Sequence, residues 1–167
     1  MESPMPMGPV EYIPPAIERY VLLGYDPYRY YQGTEPPPWT PLNKPLSECR
    51  LGVIATAGTY VKGQAAFFYK DDHSYRAIPK STSVEDLRFS HVTEHYLGSA
   101  RQDPNSAFPI DSLRRLESDG VVAEVAEDLF SCMGGVYSQR KIRDELAPAL
   151  AAEFTRQEVD AVLLVPM

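Results

Sequence analysis

Three histidines, His73, His91 and His95, fall within 23 positions of one another, in company with Asp72, Arg76 and Glu94. Imidazoles can exchange protons near neutral pH, and a guanidinium beside them can clamp a carboxylate. Asp72, His73, Arg76 and His91 are therefore the candidates to line a substrate pocket, with Arg76 as the carboxylate clamp. His91-Val92-Thr93-Glu94-His95 also fits the pattern H-x-x-E-H, in which two imidazoles four apart on a helix bind zinc and the glutamate activates water. Ser90, Val92 and Thr93 are poor helix formers, so the segment reads as a loop. A metal-dependent hydrolase or lyase using His91, Glu94 and His95 remains the alternative. The chain has no G-x-S-x-G elbow. Cys49 and Cys132 are far apart, match no zinc or C-x-x-C spacing and have no histidine beside them, so they read as small reduced core residues.

The elements that must hold these residues follow from hydrophobic periodicity. Leu51-Gly52-Val53-Ile54-Ala55-Thr56-Ala57-Gly58 is a short apolar run ended by glycine, the pattern of a strand buried on both faces of a parallel sheet. Residues 65–80 mix apolar and polar positions and read as a loop. Asp111 is the expected N-cap of a helix carrying Leu113 and Leu116, with Gly120 as its stop. A second buried piece begins at Val121-Val122-Ala123, and Phe130-Ser131-Cys132-Met133-Gly134-Gly135 ends in a glycine turn. Between Ser138 and Gln157, Ile142, Leu146, Leu150 and Phe154 recur every four residues, predicting a helix that Pro148 either kinks or restarts. A final apolar run, Ala161 to Val165, predicts a buried strand completing half of a βαβ unit.

The pattern is that of an α/β domain with a mostly parallel sheet and helices on both faces, a Rossmann-like three-layer arrangement. Eleven of the 16 prolines lie in the first 50 residues, with the aromatics Tyr25, Tyr28, Tyr30, Tyr31 and Trp39 among them. Residues 1–48 thus read as an arm packed on a domain of residues 49–167, with a short apolar-periodic piece from Ile17 to Leu23. A net charge of −7 and a pI near 5.0, without a basic cluster, argue against a nucleic-acid partner. No apolar run approaches a membrane span and the start lacks the layout of a signal peptide, so the expectation is a cytoplasmic protein without a membrane partner.

Several blocks together carry a resemblance. They are Pro41-Leu42-Asn43-Lys44-Pro45-Leu46-Ser47-Glu48, Thr56-Ala57-Gly58-Thr59-Tyr60-Val61-Lys62-Gly63-Gln64, Asp72-His73-Ser74-Tyr75-Arg76-Ala77-Ile78-Pro79 and Asp86-Leu87-Arg88-Phe89-Ser90-His91. They continue with Phe108-Pro109-Ile110-Asp111-Ser112-Leu113-Arg114-Arg115-Leu116, Ser131-Cys132-Met133-Gly134 and Asp160-Ala161-Val162-Leu163-Leu164-Val165-Pro166. In this order they resemble the selenoprotein B family, the B subunits of glycine, sarcosine and betaine reductases and of D-proline reductase. The segment His91-Val92-Thr93-Glu94-His95 does not match the family residue by residue.

The resemblance implies an oxidoreductase subunit, part of an oligomer, that cleaves a C–N bond reductively. In the family, the strand similar to Ala161–Val165 runs into a loop holding selenocysteine or cysteine, with a further cysteine shortly after. A pyruvoyl group on a partner subunit activates the amino-acid-like substrate, and thiols supply the electrons. This chain is expected to bind no cofactor itself. Its catalytic residue is expected immediately after Met167, at a selenocysteine codon read as termination, leaving this form inactive alone. A non-catalytic interaction subunit is a further alternative.

Overall fold

The structure, a computed structural model, describes residues 11–27 and 33–167. Tyr28, Tyr30 and Tyr31 of the aromatic arm lie outside the described residues. The chain divides into two compact units, residues 1–40 and 41–167. In the first, helix α1 (Ile13–Leu22) carries prolines in its first turn, where a missing N–H costs no intrahelical bond. Its end is turned by Gly24 at φ +82°. Pro41 to Glu48 belong to the second unit, where Lys44 Nζ lies 2.8 Å from the Asp160 carboxylate.

The second unit is built around strand β1 (Arg50–Ala55), whose continuous apolar sequence suits burial on both faces. Strand β2 (Thr59–Val61) follows, then β3 (Tyr75–Pro79) and β4 (Leu87–Phe89), a short helix α2 (Gly98–Gln102) and helix α3 (Ile110–Ser118). Next come β5 (Glu124–Val125) and β6 (Asp128–Cys132). A helical run then comprises α4 (Gln139–Lys141), a wide π turn over Ile142–Leu146, and α5 (Ala147–Arg156), before the last strand, β7 (Ala161–Val165). β5, β6 and β7 all pair parallel with β1. Since β7 occupies the whole of one edge of β1, β5 and β6 lie end to end along the other, with Ala126 and Glu127 bulging between them. β3 joins β6 antiparallel, Tyr75 opposite Cys132 and Pro79 opposite Asp128. β2 and β4 form a separate two-stranded antiparallel sheet.

Side-chain alternation divides the core between the two faces of the main sheet. Leu51, Val53, Ala55, Ile78 and Leu129 point toward Phe108 and toward Ile110 and Leu113 of α3. Ile54, Ala77, Phe130 and Cys132 point the other way, toward Leu146, Leu150 and Phe154 of the helical run. Gly52 makes that second contact possible, because a Cβ there would sit 2.8 Å from the Phe154 ring.

The structure corrects three expectations. Tyr75–Pro79 is a strand rather than loop: an antiparallel edge strand with Ile78 alone fully buried leaves almost no hydrophobic signature. Asp111 is not the N-cap; Pro109 takes that position two residues earlier, and Asp111 in the first turn of α3 accepts a bond from Asn105 Nδ2 and pairs with Arg114. Near the expected restart at Pro148, α5 begins at Ala147 after the π turn, with the proline in its first turn, where its missing N–H costs no intrahelical bond. The final strand is parallel as expected, yet it is an edge among the described residues, with Val162, Leu163 and Leu164 exposed by 40%, 39% and 69%. No helix among the described residues is long and apolar enough to cross a membrane.

Candidate functional site at the carboxyl ends of the parallel strands

In an open parallel sheet, ligands gather beyond the carboxyl ends of the strands, where loops replace the ladder. Here the ends of β1, β6 and β7 are tied together by Thr56. Its N–H donates to Val165 O (3.0 Å), and its Oγ1 accepts from Met167 N–H (2.9 Å). Its carbonyl accepts from Gly134 N–H (2.8 Å). One threonine thus fixes the tip of β7 against the turn that leaves β6.

The loop after β4 is clamped onto the same edge. Gly58, at φ +64°, donates its N–H to Cys132 O and accepts from Ser90 N–H, both at 3.0 Å. A Cβ at Gly58 would stand 2.0 Å from Ser90 O, so only glycine fits there. Gly135 admits the loop in the same way, because a Cβ on it would meet Val92 Cγ1 at 2.2 Å.

These contacts deliver His91 into the interior, 7% exposed. Thr93 N–H donates to Nδ1 (3.1 Å), and the Thr93 hydroxyl lies 2.6 Å from the same nitrogen. An Nδ1 that accepts is unprotonated, which puts the proton of the neutral ring on Nε2. Burial lowers the His91 pKa, against a smaller upward pull from Glu94. Nε2 is buried with no hydrogen-bond partner among the described residues. A donor left that way costs about 1–3 kcal/mol, so an unpartnered one calls for a physical reason. The Cβ position of Gly134 is 3.1 Å from this nitrogen, 3.0 Å from Thr56 O and 3.2 Å from Met167 O. The bare Gly134 backbone is therefore the floor on which the imidazole and the tip of β7 meet.

The other candidates occupy separate places. His73 Nε2 pairs with Glu145 at 3.0 Å beside a cleft of about 370 Å³ lined by Asp72, Tyr75, Leu146 and Ala149. Because Tyr75 opposes Cys132, this cleft opens where β3 begins, at the same end of the sheet. Burial raises the Asp72 pKa, but bonds from Ser74 Oγ and from the N–H groups of Phe68 and Ser74 outweigh it and hold the carboxyl low. Arg76 donates to the carbonyls of Ala65, Tyr75 and Ala66 and to Ser74 Oγ, and stacks 4.2 Å over Phe67. Its fork is engaged in shaping the loop ahead of β3.

His95 is exposed and stacks on Tyr96 at 4.1 Å, while Glu94 bonds Arg101. The H-x-x-E-H residues therefore do not converge, and among the described residues no group of three His, Cys, Asp or Glu could hold a metal. Cys132 ends β6 close by, yet burial pushes its thiol up to about 11, where no useful thiolate exists at neutral pH. A larger cleft of about 650 Å³ lies between β4 and α2, but its arginines are engaged, Arg88 by the carbonyls of Glu85 and Leu87 and Arg101 by Glu94.

Thr56, Gly134 and Met167 escaped the sequence reading as site residues. The glycine turns that end two apolar runs were the available signal for two strand ends.

Comparison with known proteins shows the family. Residues 73–166, more than half of the chain, match the model of the glycine/sarcosine/betaine reductase selenoprotein B family. D-proline reductase subunit gamma of Acetoanaerobium sticklandii is 35% identical over 144 residues, which cover 86% of this chain and 59% of that protein. Glycine reductase complex component B subunit gamma is 27% identical over 132 residues in Symbiobacterium thermophilum and 25% over 128 in Peptoclostridium acidaminophilum. These alignments cover 77% and 72% of this chain but only 30% and 28% of the relatives. The chain thus spans about three-fifths of the first relative and less than a third of the other two. No solved structure matches it. The chain belongs to the glycine/sarcosine/betaine reductase selenoprotein B family.

Proposed function

We propose that this chain supplies the nucleophile-presenting α/β domain of a selenol- or thiol-dependent reductase subunit that cleaves the C–N bond of an amino-acid-like substrate. The observation that carries the proposal is the meeting of the β7 tip with the buried Nε2 of His91 over Gly134. In this reading the nucleophile is the selenocysteine or cysteine that the family carries directly after the strand equivalent to β7. The greater identity and coverage of the D-proline reductase relative favour a proline-type, secondary-amine substrate over glycine. Core packing on both faces of the main sheet supports a Rossmann-like layering that would hold the site rigid.

The chemistry balances as follows. The selenolate or thiolate forms a bond to the substrate α-carbon as the C–N electron pair passes to nitrogen, which takes up a proton. A neighbouring thiolate then attacks the selenium or sulfur, and the α-carbon leaves with its electron pair and is protonated. A dithiol reductant restores the starting state and becomes a disulfide, so the substrate gains two electrons and two protons. A pyruvoyl group on a partner subunit would supply the electrophilic carbonyl that makes the substrate nitrogen a leaving group. Within this chain, Thr56 and Gly134 would hold the strand tip, and His73 and Asp72 would border the approach.

The test is turnover. The gene product read through past Met167, combined with a pyruvoyl-type partner subunit and a dithiol, should cleave D-proline in a dithiol-dependent way. A reading frame past Met167 that encodes neither selenocysteine nor cysteine in its first residues removes the proposal.

A further inference from the structure

We propose that His91 is the hydrogen-bond donor to the nucleophile, its Nε2–H directed at the selenium or sulfur atom presented at the tip of β7. The inference rests on the reductase reading above and goes beyond it by assigning a residue of this chain to the reacting atom.

Four observations carry it. Nε2 is buried and has no partner among the described residues. Thr93, bonded to Nδ1, fixes both the ring's orientation and its tautomer, so a proton is available on the inward nitrogen. The loop cannot swing the ring away, because Gly58 grips Ser90 and Gly135 lies against Val92. The strand tip is fixed as firmly, since Met167 N–H and Val165 O both bond to Thr56, and its carbonyl reaches the Gly134 floor that the ring also touches. Two arms therefore converge on one point, one ending in a donor and the other in the tip of β7.

A neutral N–H donor suits a chalcogenolate. It favours the anion over the protonated thiol or selenol and orients one lone pair, leaving another free to attack. An imidazolium in the same place would stabilise the anion more but blunt its nucleophilicity, and burial works against that charge. His73, paired with Glu145, and His95, stacked on Tyr96 at the surface, do not share this placement.

Nitrogen-15 NMR of the 167-residue chain should show His91 with its proton on Nε2, and the Nδ1–H tautomer would overturn the inference. In the read-through protein with cysteine at the reactive position, the rate of iodoacetamide alkylation against pH reports the thiolate. His91→Phe, which fills the space without donating, should slow alkylation at pH 7 roughly tenfold, the effect of moving the thiol by about one pKa unit. His91→Gln, which restores a donor, should recover most of the rate. An unchanged profile in folded His91→Phe contradicts the inference while leaving the reductase reading intact, whereas a protein without a fast-reacting residue past Met167 defeats the reading itself. Should His91→Phe fail to fold, the unsubstituted protein still decides: alkylation must shift the His91 Nε2 resonance, and a resonance that does not move overturns the assignment.

Discussion

A histidine held neutral in the interior makes the protein sensitive to acid in a direction that can be worked out. Burial sets the His91 pKa below its ordinary 6.5, so the unfolded chain binds the proton more readily than the folded one. Stability is therefore fully present above about pH 6.5 and declines as the pH falls from there toward the folded value. Urea unfolding at pH 7.5 and pH 5.5 should show this decline in the natural chain, and His91→Gln should flatten it. Asp72 acts in a separate, lower window: its pKa is depressed, so its contribution is lost only as the pH falls below the ordinary carboxylate range. Cysteine chemistry gives a second residue-scale expectation. Cys49 and Cys132 are both buried, and burial pushes the Cys132 thiol up to about 11, so the folded chain should resist iodoacetamide at pH 7.5 while the urea-unfolded chain takes up two equivalents. The chemical character of the histidine group was legible in the sequence, because residue type alone speaks to proton transfer. Which imidazole faces inward was not, since that depends on Gly58 gripping Ser90 from the turn between β1 and β2, more than thirty residues earlier.

Elements meet at this edge through glycines, and each glycine makes a separate claim. Gly58→Ala would combine a positive φ with a clash against Ser90 O at 2.0 Å, and the expected cost is about 3 kcal/mol or more, read as a lower urea midpoint. Gly52→Ala meets the Phe154 ring at 2.8 Å and should cost about 1–3 kcal/mol by pushing α5 off the sheet. Combining Gly52→Ala with Phe154→Leu should recover part of that loss, whereas purely independent penalties would add. Continuous apolar runs made β1 and β7 readable, and the four-residue spacing did the same for the helix that ends in α5. β3 was hidden because an antiparallel edge strand with one buried residue has no periodicity to show. The exposure of β7 was hidden for the opposite reason, since Val162, Leu163 and Leu164 have the composition of an interior strand wherever they are placed.

Across the whole molecule, the family relationship and the sheet topology point to the same place. The family match takes in β7 and the loop residue after it, and Met167 bonds Thr56 at the edge where parallel sheets bind their ligands. The relatives are subunits of D-proline reductase and glycine reductase complexes and are longer than this chain. The central claim is that the reactive chalcogen stands at the tip of β7, and locating the adduct tests it most directly. Protein expressed with any coding sequence that follows Met167 should be treated briefly with iodoacetamide at pH 7 and mapped by mass spectrometry. The account predicts one rapid adduct on a cysteine or selenocysteine in the first residues after Met167, with Cys49 and Cys132 untouched; rapid labelling of Cys132, or of neither it nor any residue past Met167, would contradict it.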